Sequence, residues 1–241
     1  MIIDIVTIFP EFFESFLETS IVKRAQEQGH VEIRCHQLRD YSDRKHQYID
    51  DTPYGGGAGM LMQFPPFYEI INKLKTDKSK VIYLSPQGQL FNQKKAISYA
   101  TYEHIILLCG HYEGLDARVM AFVDEEISIG DYILTGGEIP AMILTDAVVR
   151  LLSGVIDDES RDTDSLQNGW LKYPQYTKPD VYKGYEVPEI LKSGHHQNIE
   201  NWRKKESIKA TYLKRPDLIE KIDLTEQEKT ILAEVKAEFK K

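Results

Sequence analysis

Apolar and polar positions along this chain follow two habits: short continuous apolar runs that stop at glycine, and longer amphipathic stretches between them. The first run, residues 2–9, reads as a strand. Pro10 then opens a helix predicted to continue to Gln28 and to end at Gly29. VEIRCHQL, residues 31–38, alternates as a half-buried strand does. A polar segment, RDYSDRKHQYIDD, leads to the glycine-rich PYGGGAGM at 53–60. The pattern then predicts a helix over 66–75, a strand over 80–84, a helix over 93–99, a strand over 104–109 and a helix over 116–122. This alternation of strand and helix predicts an α/β fold with a mainly parallel sheet and helices on both faces. Three runs feed straight into glycine loops: KVIYL into SPQG (85–88), HIILLC into GHYEG (110–114) and EISIGDYIL into TGG (135–137). In parallel sheets ligands sit outside the carboxyl ends of the strands, so these loops are predicted to build one pocket.

Residues 138–152 predict a helix with Pro140 in its first turn and Gly154 beyond its end. It has almost no polar face, which requires burial all round, in the core or against a second subunit. The composition then changes. Residues 157–169, DDESRDTDSLQNG, are polar without an apolar period, as in a mobile linker. Beyond them the pattern turns helical, with helices expected at 198–213 and 225–239, the latter opening with Thr225 and Glu228 in capping-box spacing. The predicted organisation is a domain over 1–156, a linker over 157–169 and a small helical domain over 170–241.

Composition narrows the function. A chain of 241 residues buries a substantial core. The first ten residues lack the basic start of a signal peptide, and the longest apolar stretch is too short to span a bilayer; a cytoplasmic protein without a membrane partner is expected. Cys35 and Cys109 have no metal-ligand spacing and read as buried thiols. The net charge of −8 argues against a nucleic-acid partner, but it conceals a basic stretch: Lys192, Arg203, Lys204, Lys205, Lys209, Lys214 and Arg215 against Glu200 and Glu206. On its own that stretch reads slightly better as a solvated face of paired charges than as a phosphate-binding one.

The candidate chemistry lies in the loops. PYGGGAGM lacks the Lys-Ser/Thr pair of a P-loop and fits no G-x-G-x-x-G, which removes the signatures of nucleotide hydrolases and nicotinamide dehydrogenases. Glu113 and Asp131 suit ribose hydroxyls or an ammonium group as well as they suit turn hydrogen bonds. Tyr112 and Tyr132 suit the walls of a purine site, and a lone His111 says little. Asp164 reads as a solvated acid or a turn cap, and Arg150 as a cation complementing a helix C-terminus.

The ordered set YLSPQG, LLCGHYEG, EISIGDYILTGGEIPAM, Arg150, Asp164 with Ser165, YPQYTKP and NWRKKESIKATYLKRPDL resembles the bacterial tRNA (guanine-N1)-methyltransferase family. The resemblance runs through most of the chain, and IGDYILTGGE is its most specific part. It implies the SPOUT fold with a deep trefoil knot, a homodimer with the active site between subunits, and tRNA as substrate. It also implies S-adenosylmethionine bound by Tyr83, Leu84, Ser85, Pro86, Gly110, Tyr112, Glu113, Ser128, Ile129, Gly130, Asp131, Tyr132, Ile133, Leu134, Gly136, Gly137 and Pro140. Asp164 matches the family's general base and Arg150 its electrostatic partner. No metal cluster is visible, and a magnesium requirement is implied by the resemblance alone. Leu166 stands where the family more often has Phe, Gln175 for His, Lys178 for Arg and His111 for Arg. The expected reaction is methylation of ring N1 of the guanosine directly 3′ of the anticodon, position 37. The competing readings are a ribose 2′-O- or ribosomal-RNA methyltransferase of the same fold and a non-catalytic RNA-binding protein.

Overall fold

The computed structural model describes residues 1–239, so the last two residues of the expected second domain lie outside it. Five parallel strands form the main sheet: β1 (Ile2–Thr7), β2 (Glu32–Gln37), β3 (Ser79–Leu90), β4 (His104–Cys109) and β5 (Glu125–Ser128), in the order β2-β1-β4-β3-β5. β4 is buried at every residue. With period-2 alternation, Ile3, Ile5, Ile82, Leu84, Ile105 and Leu107 face helix Glu138–Val149 through Ala141, Leu144 and Val148. Val6, Val81, Tyr83, Ile106 and Leu108 face helix Phe64–Leu74 through Phe67, Ile70 and Ile71. Both faces are therefore covered, which is why these strands read as unbroken apolar runs.

Several boundaries differ from the sequence expectation. The first strand ends at Thr7, and the helix expected from Pro10 to Gln28 is three pieces: a 3₁₀ turn Pro10–Phe13, a single turn Glu14–Leu17 and a helix Ser20–Glu27. The break has a local cause. Thr19 is extended, with its hydroxyl donating to the Ser15 carbonyl at 2.6 Å, and Ser20 has φ of 54°. The expected helix over 116–122 is 3₁₀, Ala117–Phe122. β3 does not stop at Leu84 but bulges and continues to Leu90. Only residues 126–128 of EISIGDYIL are strand, in an element that begins one residue earlier at Glu125.

The chain divides into one compact unit, Met1–Asp158, and a second beginning at Glu159. The second unit has a core of Trp170, Ile208, Leu232 and Val235, with long helices His196–Lys214 and Glu226–Glu238. The Thr225–Glu228 capping box is formed, and Glu228 also accepts from the Trp170 indole at 3.0 Å and pairs with Lys204. Burial alone would raise the Glu228 carboxyl, but Lys204 and Thr225 hold it at about 2. Two features were not expected. Residues 157–169 include a short helix, Asp158–Asp162, and the helical unit carries a hairpin of Val181–Tyr182 and Tyr185–Glu186, turned by Lys183 and Gly184 at positive φ.

One polar cluster sits inside the main sheet. Asp4, fully buried, accepts from Arg34 at 2.7 and 2.9 Å and lies 2.7 Å from both His36 and His104. Burial would raise its carboxyl, but the His36, Arg34 and His104 hydrogen bonds win and hold it at about 2 against an ordinary 3.8. A depressed carboxyl contributes stability above its unfolded pKa and loses it as pH falls through the folded one. Asp4→Asn is expected to cost about 3 kcal/mol at pH 7, read by urea unfolding, because it removes the buried charge that His36, His104 and half-exposed Arg34 are arranged to meet. The gap between the two proteins should close between pH 4 and 2; a gap independent of pH would show that Asp4 acts by shape alone.

Burial pushes the Cys35 thiol up to about 11 and Cys109 well above its ordinary range. Both are unreactive thiols at neutral pH. Among the described residues no helix is long and apolar enough to cross a membrane.

Candidate active site

The carboxyl ends of β3, β4 and β5 converge. Leu84 and Gln89 of β3 both pair with Ile127, so residues 85–88 arch out of the ladder. Gly88 lies flat on β5: a Cβ there would sit 2.3 Å from the Ile127 nitrogen. After β4, the Gly137 N–H donates to the Gly110 carbonyl at 3.0 Å and His111 bridges Gly136, which sews the third loop to the second. After β5, the Ser128 hydroxyl donates to the Gly130 carbonyl at 3.1 Å, tightening the turn that carries Tyr132.

These loops surround one cleft of about 240 Å³. Its lining contains Tyr83, Leu84, Ser85, Pro86, Gly110, Tyr112, Glu113, Ser128, Ile129, Gly130, Tyr132, Ile133, Leu134, Gly136, Gly137 and Pro140. Of the residues expected to contact cofactor, Asp131 is the exception. It is exposed and outside the lining, because the turn closed by the Tyr132 N–H on the Gly130 carbonyl sends its side chain to solvent. Gln87, His111, Gly114, Ile127 and Thr135 also line the cleft and were not in the expected set. The residues fit a nucleoside carrying a cationic tail. Leu84, Ile127, Leu134 and Pro140 offer apolar walls, Tyr112 and Tyr132 aromatic faces, Ser85 and Ser128 hydroxyls, and Glu113 a carboxylate. Burial raises the Tyr83 phenol, with hydrogen bonds from the Leu115 backbone and Ser85 partly offsetting it.

Sequence reasoning missed what holds the second and third loops to the sheet. Buried Glu138 accepts from the Thr7 hydroxyl at 2.6 Å and meets His111 Nε2 at 2.7 Å, linking β1, the 110–114 loop and the helix after Gly137. The glycine-rich segment is likewise tied to the site. Met60 accepts from the Glu113 N–H at 3.0 Å, Met62 donates to the Gly114 carbonyl at 3.0 Å, and a Cβ on Gly59 would meet the Glu113 side chain at 2.4 Å.

The two residues expected to act on substrate lie apart in the chain. Arg150 follows the last turn of helix Glu138–Val149, half-buried, its N–H bonded to the Asp146 carbonyl at 3.2 Å. Asp164 belongs to the second unit, where its carboxylate lies 3.3 Å from Lys172. The basic stretch resolves largely into pairs: Arg203 with Glu200, Lys204 with Glu228, Lys205 with Glu238, Lys209 with Glu206, Arg215 with Asp217 and Lys192 with Glu189. Two of those carboxylates stand on the last helix, beyond any local window.

A parallel α/β domain whose glycine loops enclose one cleft at the strand ends defines the class of enzymes that bind a nucleotide-like cofactor or substrate there. The family model described as tRNA (Guanine-1)-methyltransferase TrmD matches residues 1–221. The chain is 59% identical over 237 residues to the tRNA (guanine-N(1)-)-methyltransferase of Acholeplasma laidlawii, covering 98% of each chain. It is 53% identical over 239 residues to the protein of the same name from Dictyoglomus turgidum, covering 99% of this chain and 98% of that one. The chain belongs to the tRNA (guanine-N1)-methyltransferase family and is an enzyme.

Proposed function

We propose that this enzyme transfers the methyl group of S-adenosylmethionine to ring N1 of guanosine 37 in tRNA, where another guanosine precedes it. The observation that carries the reading is the three-loop cleft, whose lining fits a nucleoside with a cationic tail, in a chain matched to the family over residues 1–221. The reading includes a trefoil knot threaded through these loops. When bound, S-adenosylmethionine supplies a methyl group on a positively charged sulfur. The protein's residues do the rest. Ring N1 carries a proton at neutral pH, and Asp164 takes it. An aspartate with a reference pKa near ~3.9 is too weak to remove that proton beforehand, so it accepts late, as the N–CH₃ bond forms and the ring becomes acidic. Arg150, permanently charged, stabilises negative charge growing on the guanine carbonyl oxygen. Segment 157–169 acts as a linker, and correct tRNA brings its Asp164 to the guanine, which ties catalysis to recognition.

The working unit is a homodimer. Helix Glu138–Val149 starts at the cleft and ends at Arg150; twelve residues at 1.5 Å each separate them by roughly 18 Å, further than an arginine side chain reaches back. Arg150 therefore serves a cleft other than its own. The same helix exposes Ile139 and Ile143, one turn apart, at 43% and 42%. These are the residues its all-apolar pattern requires to be covered, and a second copy covers them.

The test is transfer of labelled methyl to two tRNA transcripts differing only at position 37. Label is expected with guanosine and not with adenosine. Label in both transcripts points to another position or to ribose, and label in neither removes the reading.

A further inference from the structure

Asp164 is not presented alone. The Lys172 ammonium lies 3.3 Å from its Oδ1, and the two side chains are 20% and 27% exposed, so the pair is shielded from most of the solvent. The backbone around it is closely specified. Lys172 N–H donates to the Ser165 hydroxyl at 2.9 Å, Leu166 N–H to the Trp170 carbonyl at 2.7 Å, and Leu166 takes φ of 71° to close the loop. On the far side the extended segment bearing Lys172 is fixed to helix His196–Lys214. Leu171 N–H donates to the Thr211 hydroxyl at 3.0 Å, and its carbonyl accepts from Ser207 at 2.6 Å. Lys172 thus stands on an anchored segment, while Asp164 stands on the loop that approaches it.

Asp164 and Lys172 line a small cavity of the second unit, and among the described residues the other charged and titratable groups facing it are Asp162, Tyr173, Glu200, Arg203 and Lys204, with Arg161 one turn before Asp164. Arg161 pairs with Asp162 at 3.0 Å, Arg203 with Glu200 at 2.6 Å, and Lys204 with Glu228. Each of these cations has a carboxylate of its own beside it, and Lys172 lies directly against the Asp164 oxygen. An opposite charge at this distance favours the ionised carboxylate and disfavours the neutral acid.

We propose that Lys172 is the positioning residue for Asp164: it keeps the carboxylate ionised and oriented before substrate binds, and expels the proton to solvent after Asp164 has taken it from N1. The inference rests on the reading of Asp164 as the base. The step balances. The sulfur–carbon bond breaks as the N1–carbon bond forms, the N1 proton passes to an Asp164 oxygen, and the neutral acid left beside the Lys172 cation releases it to water. The cation makes Asp164 a weaker base in the ground state and a faster one to regenerate.

The experiment uses full-length K172M, K172R and D164N proteins. The Asp164 side-chain carboxyl carbon is followed by ¹³C NMR in the free protein, assigned by its loss in D164N, and single-turnover methyl transfer to tRNA is followed against pH. In K172M the Asp164 midpoint is expected to rise by about 1 pH unit, with the acidic limb of the rate profile moving alongside, and K172R is expected to restore both. A folded K172M with the wild-type midpoint overturns the inference, whatever its rate. Should K172M lose its fold, K172Q removes the charge while keeping a donor, and the same midpoint decides. D164N transferring methyl at the wild-type rate would instead remove Asp164 as base, an outcome separate from the titration of the pair.

Discussion

Gly137→Val is expected to weaken S-adenosylmethionine binding by about 100-fold or more and to abolish methyl transfer, while the chain still folds. A Cβ at position 137 would lie 2.6 Å from the Cys109 Cα and 3.0 Å from the Gly110 nitrogen. Neither can yield, because both are backbone at the end of the fully buried central strand. The φ of Gly137 is −83°, an ordinary value, so the requirement for glycine is steric and not conformational. The third loop must therefore lift from the second, losing the Gly137–Gly110 hydrogen bond and the His111–Gly136 bridge that shape the cleft. Overpacking of this kind costs about 1–3 kcal/mol of stability, which a domain of this size tolerates. Titration calorimetry with S-adenosylmethionine checks affinity, and thermal unfolding checks the fold. Unchanged affinity in the folded variant would take the third loop out of the pocket.

The same glycine shows what was legible in the sequence. TGG after an apolar run announced a loop at a strand end, and the pattern brought the right three loops to one cleft. The reason for glycine at 137 was not legible, because the atoms it must avoid belong to another strand. Glu138 is a sharper case. Nothing local singles it out at the start of its helix, yet it binds Thr7, 131 positions away, and His111. The bulge in β3 was hidden for a similar reason. Residues 85–88 look like a strand-ending turn, and only pairing with Ile127 on both sides of the arch makes them an interruption within one strand. Asp131 failed in the opposite direction: its neighbours in sequence are in the lining, but a tight turn rotates that one side chain outward. Tyr182 and Tyr185 lie in strands two residues long, too short to show alternation, although Lys183-Gly184 between them is the kind of pair a hairpin turn requires. In the basic stretch the reading as a face of paired charges holds, although two of the partners, Glu228 and Glu238, come from a helix further along.

Mixed dimers should recover activity that neither parent chain has. Arg150→Ala removes the cation proposed to stabilise the developing oxyanion, a loss of about 10²–10³ in turnover, while leaving the cleft able to bind cofactor. Gly137→Val destroys the cleft but leaves Arg150 in place. If Arg150 serves the partner's cleft, a dimer of one R150A chain and one G137V chain contains one site with an intact cleft facing an intact arginine, and one site with neither. Co-expression with two different tags and tandem purification isolates that species. Its expected turnover is about half that of the wild-type dimer, since closed two-fold symmetry gives two equivalent sites and the mixture restores one. Each parent homodimer stays at background. A purified mixed dimer that also stays at background would mean that Arg150 acts within its own chain, against the roughly 18 Å set by twelve helical residues at 1.5 Å each. Failure to capture any mixed species, with both chains folded, would mean that Ile139 and Ile143 are covered by something other than a second copy. The outcome separates the two jobs of helix Glu138–Val149. On the proposed reading its first turn closes the cofactor cleft of one subunit, and Arg150 at its end delivers a charge to the other.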